Sequence, residues 1–87
     1  MSVKSSQVTL TTSPTLMVTA DVDGCRVVIH KVKSHSIYLG GSNVTSSNGF
    51  LFDHDGTVDI FLGSNDKLYG CAGTGTETSY ILTIGND

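Results

Sequence analysis

Residues 36–63 read SIYLGGSNVTSSNGFLFDHDGTVDIFLG. Ile37-Tyr38-Leu39 is a short apolar run that ends on Gly40-Gly41. Asn43-Val44-Thr45 leads into Ser46-Ser47-Asn48-Gly49, a cluster of turn formers. Phe50-Leu51-Phe52 meets the polar turn Asp53-His54-Asp55-Gly56, and Val58-Asp59-Ile60-Phe61-Leu62 closes the stretch. Runs this short, rich in β-branched and aromatic residues and bounded by Gly, Asn and Ser, are strands rather than helices. No catalytic constellation lies among them.

The same pattern extends to both sides. Val8 and Leu10 alternate with Gln7, Thr9 and Thr11, the period of a half-buried strand. Pro14 interrupts the ladder, and 16–20 resumes it. Asp21-Val22-Asp23-Gly24 is a turn, so 15–32 is expected to form a β-hairpin. Within 25–32, Arg26, Val28, His30 and Val32 share one face, and Cys25, Val27, Ile29 and Lys31 the other. After the turn Ser64-Asn65-Asp66 comes the strand 67–72, where Gly70 marks a bulge or a close backbone approach. Gly73 to Glu77 is a turn, and 79–84 is the last strand, with Tyr80, Leu82 and Ile84 on one face. The fold expected is all-β: a single small β-sandwich or β-barrel (jelly-roll or Ig-like) of about seven to nine short antiparallel strands. Residues 1–7 are expected to form an N-terminal arm, disordered or pairing, and 8–87 the single β domain. Most of the six aromatics, Phe61 among them, are expected in the core.

Composition removes several function classes. Charged residues are 15% of the chain against about 25% in typical domains, and the net charge is −3. A nucleic-acid binder needs a basic stripe to displace counterions, and five Lys and Arg do not supply one. Lys31 and Lys33 read as a solvated face. No apolar run approaches the roughly 18 residues that span a membrane, and residues 1–20 lack the apolar stretch of a signal peptide. That implies synthesis in the cytoplasm and free, buried thiols at Cys25 and Cys71.

The chemical motifs are weak. The D-x-D-G turns at 21–24 and 53–56 lack the later ligands of a calcium loop. His30, His35 and His54 have no zinc spacing, and no G-x-S-x-G occurs. Gly73-Thr74-Gly75 precedes a strand, whereas a phosphate loop precedes a helix. Neither an enzyme nor a cofactor is expected.

The cadence IYLGGSNVT (37–45), NGF (48–50), TVDIFL (57–62) and DKLYGCA (66–72), with a Gly-Thr-Gly turn and an apolar last strand, resembles small β-rich virion structural proteins of tailed bacteriophages. That resemblance implies a capsid decoration (cement) protein. It would bind the major capsid protein, act as a homotrimer, lie on the capsid surface of the virion, and have no nucleic-acid or membrane partner. It implies contacts from the arm, Ser2, Val3, Lys4 and Ser5, and from the loop that begins Gly40, Gly41, Ser42 and Asn43. Two alternatives stay open. One is a carbohydrate- or host-surface-binding module of a head or tail fibre, which exposed Tyr38, Tyr69 or Tyr80 beside Asn or Asp would favour. The other is a head–tail joining or tail-tube-type subunit.

Overall fold

The computed structural model describes residues 3–31, 36–52 and 56–85. Ser2, Lys33, His35, His54 and the Asp53-Asp55 part of the second D-x-D-G turn lie outside the described residues. The described strands are β1 (Val3–Leu10), β2 (Thr15–Thr19), β3 (Cys25–Lys31), β4 (Ile37–Gly40), β5 (Phe50–Phe52), β6 (Gly56–Leu62), β7 (Lys67–Ala72) and β8 (Glu77–Ile84).

They form two four-stranded antiparallel sheets, β1-β8-β3-β6 and β2-β7-β4-β5. Four of the pairs are nested: β4 with β5, β3 with β6, β2 with β7, β1 with β8. The chain is thus one long antiparallel ribbon, bent at residues 41–49 and rolled so that β8 also meets β3 and β7 also meets β4. This rolled ribbon is the jelly-roll form of the β-sandwich.

Alternation fills the space between the sheets. Val27 and Ile29 of β3 and Ile37 and Leu39 of β4 point inward, and Phe52 closes the far side. Gly70 is a close approach: a Cβ there would lie 2.6 Å from Met17 Sδ and 3.2 Å from Leu10 Cδ1. The bulge belongs to β2 instead, where the register shifts between Leu16 and Val18. It turns the adjacent residues Met17 and Val18 both into the core.

Residues 3–7 are a pairing arm: they pair with β8 from Val3↔Ile84 to Gln7↔Tyr80 as the edge strand of a sheet. Two expectations are corrected. Residues 15–32 are no hairpin, because β2 and β3 belong to different sheets and the 21–24 turn crosses between them. Backbone bonds tie that crossing to the β6–β7 crossing: the Ala20 N–H donates to the Asp66 carbonyl (2.8 Å) and the Asn65 N–H to the Asp21 carbonyl (2.9 Å). Gly24, at φ 76°, has no room for a side chain, since a Cβ would lie 2.5 Å from the Leu62 carbonyl oxygen. Finally, only Phe52 of the aromatics is in the core, whereas Phe61 is 79% exposed. In β6 Val58, Ile60 and Leu62 pack inward, so Phe61 shares the outward face with Thr57 and Asp59.

Phe52→Ala should therefore lower stability by roughly 3–5 kcal/mol. Phe61→Ala should change it by less than about 0.5 kcal/mol. Urea melts of the two variants check this, and an equal loss in both would put Phe61 inside.

Candidate functional site

Alternating strand direction sorts the molecule into two ends. The start of β1, the turn 21–24, the end of β4 and the turn 63–66 lie at one end, here the lower. Val3, Lys4 and Ser5 therefore share an end with Gly40, Gly41, Ser42 and Asn43, although the two groups lie on opposite sheets. Exposed apolar side chains gather at that end: Val3 is 65% exposed, Val22 69% and Phe61 79%. Beside Phe61 and Ile84 a depression of about 370 Å³ opens, with Arg26 and Asp23 on its rim.

The loop 41–49 is a folded cap at this end. The Val44 N–H donates to the Gly41 carbonyl (3.0 Å) and the Gly49 N–H to that of Thr45 (2.9 Å). Asn48 ties both halves: its Oδ1 accepts from the Thr45 N–H (2.8 Å) and its Nδ2 donates to the Asn43 carbonyl (3.2 Å). Val44 is buried, yet it lies outside the main core cluster, as does Cys71. The alternation of β7 puts Cys71 on the outer side of its sheet, opposite Tyr38. Val44 thus plugs the loop onto the sheet, and Ser42, Asn43, Thr45, Ser46, Ser47 and Asn48 face solvent.

The outer face of the β1-β8-β3-β6 sheet has three rows set by its register. The lowest runs Val3, Ile84, Arg26, Phe61. The middle runs Ser5, Leu82, Val28, Asp59, and the upper Gln7, Tyr80, His30, Thr57. A groove of about 690 Å³ lies over the middle and upper rows. Arg26 forms a two-pronged ion pair with Asp59, its Nε 3.0 Å from each carboxylate oxygen and its NH2 on Oδ2. Hydrogen bonding from Arg26, helped by the attraction of its charge, holds the Asp59 carboxyl below its ordinary value against some desolvation. Both side chains are well exposed, so the pair adds little stability and mainly neutralises the face.

Neither thiol has the setting of a nucleophile. Burial pushes the Cys25 thiol up, with the Asp21 charge adding to it, and burial does the same at Cys71. Among the described residues, no cluster of three or more His, Cys, Asp or Glu side chains is placed to hold a metal ion. No helix among them is long and apolar enough to cross a membrane. No family model matches this chain, and no curated protein or solved structure matches it either.

Sequence reasoning missed the lower apolar row and the Arg26–Asp59 pair. Both depend on β3 lying beside β6, a pairing across 33 residues. One local signal was available: Phe61 is two residues from Asp59 and so shares its solvent face.

The cap itself is testable. A Cβ at Gly49 would lie 2.5 Å from Tyr38 Cβ and 2.8 Å from Val44 Cγ2, whereas at Gly41 the nearest atom is 3.5 Å away. Gly49→Ala should cost about 1–3 kcal/mol by overpacking. Gly41→Ala should fall within about 0.5 kcal/mol of the parent. Equal denaturation midpoints for the two variants would mean that the loop is not seated on the sheet.

Proposed function

We propose that this chain is a non-catalytic virion structural protein of a tailed bacteriophage, a capsid decoration protein that stands on the shell by its lower end. The observation that carries this is the gathering of Val3, Val22 and Phe61, the three most exposed large apolar side chains among the described residues, at the end that also bears the 41–49 cap. Desolvating exposed apolar side chains drives association, and a rim of neutral hydroxyl and amide groups supplies directional bonds. The cap has that composition and is already ordered by its own bonds, so docking loses little loop entropy. The phage assignment itself comes from the resemblance of residues 37–82. A jelly roll is found in capsid proteins and in lectins alike, so the fold does not choose between them.

The partner is the major capsid protein, and the assembly is a homotrimer on the capsid surface. An 87-residue sandwich has a thin core, and binding to a lattice adds stability by mass action. Many copies bridging adjacent subunits would hold the shell against the pressure of its packed genome. The N-terminal residues take part as the first residues of β1, set in the sheet, and not as a loose arm. Removing residues 1–7 would strip most of an edge strand from β8 along with any contact.

The double variant Val22→Asp, Phe61→Asp should co-sediment with emptied capsids at least about tenfold more weakly than the parent, with an unchanged melting temperature. Light scattering of the free protein should give the mass of three chains. Undiminished co-sedimentation of the variant would show that the lower end is not the docking surface.

A further inference from the structure

The upper half of the β1-β8-β3-β6 outer face is left unused by capsid docking, and its chemistry differs from the lower row. From it we infer a second binding site: the groove over Tyr80 takes an uncharged carbohydrate chain. This does not rest on the capsid proposal, since it uses other residues at the other end of the sheet.

The upper row crosses all four strands in the order Gln7, Tyr80, His30, Thr57. Neighbouring strands lie about 4.8 Å apart, so an amide and an imidazole flank the Tyr80 ring directly. Tyr80 is 39% exposed and lines the groove. Leu82 and Val28, one row below, form an apolar floor. The groove measures about 690 Å³, within the roughly 300–1,000 Å³ of small-molecule sites.

A sugar ring has apolar C–H faces and a girdle of hydroxyls that both donate and accept. Binding one requires a flat apolar platform bordered by hydrogen-bonding groups of both kinds. Tyr80 supplies the platform, and Gln7, His30 and Thr57 supply the border. Among the described residues, no carboxylate, ammonium or guanidinium lines the groove. On the same face Arg26 and Asp59 neutralise each other. A phosphorylated or acidic ligand would find no guanidinium or ammonium among the described lining groups, and a purely apolar one would leave the border groups desolvated and unpaired. The open form of the groove, running across strands, suits a chain of sugars rather than one enclosed ring.

The test is an NMR titration of the full ¹⁵N-labelled chain, without capsids, with maltohexaose, cellohexaose and N-acetylchitohexaose, and with a sulfated oligosaccharide as the charged control. The expected result is that at least one neutral oligosaccharide shifts the amides of Gln7, His30, Thr57 and Tyr80 at millimolar concentration, and that the sulfated one does not. Tyr80→Ala should weaken that binding about tenfold or more, and Tyr80→Phe should keep it. Melting curves verify that both variants fold. Silence from all three neutral chains would overturn the proposal. So would shifts that persist in Tyr80→Ala, or shifts that appear on concentrating the protein alone, which would assign the face to contact between copies. Tyr80→Ala should dock on capsids like the parent, so a failed titration leaves the docking proposal standing, and the reverse.

Discussion

Val44, seated between Gly40 and Gly49, fixes the bend on which the rest of the ribbon depends. Every other pairing nests outside it. The β1–β8 ladder joins Val3 to Ile84, and closing that loop from an open chain carries a large entropy cost. Once β4 and β5 are paired across the cap, β3 and β6 start close together, then β2 and β7, then β1 and β8. Each step closes only a short additional loop. The chain's glycine usage fits this scheme: Gly49 gives the cap room against Tyr38, and Gly70 lets the two sheets approach at Met17 and Leu10.

The crossings between sheets do the second part of the work. The turns at 21–24 and 63–66 hold each other through two backbone bonds, so the two layers are joined at the lower end by the chain itself. At the upper end the Ala72 N–H donates to the Thr11 carbonyl (2.7 Å) and the Gly73 N–H to the Ser36 carbonyl (3.1 Å). Pinned loops leave the outer faces as the surfaces free to bind. One face is capped by 41–49, and the other is the open register of three rows.

Local pattern was legible where a strand has one polar face. In β3, Arg26 and His30 point out and Cys25, Val27 and Ile29 point in, as alternation reads. It fails in β8, where Glu77, Ser79, Ile81 and Thr83 face inward and Tyr80, Leu82 and Ile84 outward. Hydrophobicity alone would choose the reverse. The register with β3 decides instead, since it sets Ile81 opposite Ile29 and Thr83 opposite Val27. The inward polar residues are the counterpart of the apolar and aromatic outer face, and no single-strand pattern reveals that exchange. The 21–24 turn was misread for a related reason. Its residues suit a hairpin, and only the distant 63–66 turn makes it a crossing. The loop at 40–43 was legible as a surface because its composition is turn-like. Its compactness was not, because that comes from Val44 meeting glycines across the bend.

The proposed function rests on two ends with different chemistry on one small frame. The lower end joins exposed valines and a phenylalanine to a prefolded polar cap, which suits a protein lattice. The upper end joins a tyrosine to amide, imidazole and hydroxyl groups, which suits a sugar chain. The measurement that tests this arrangement most directly is a cryo-electron-microscopy map of capsids carrying the protein, resolved well enough to orient the sandwich. The account predicts the 41–49 cap, Val22 and Phe61 against the shell, with Tyr80 turned to solvent. A map with Tyr80 against the shell and the cap facing outward would contradict it.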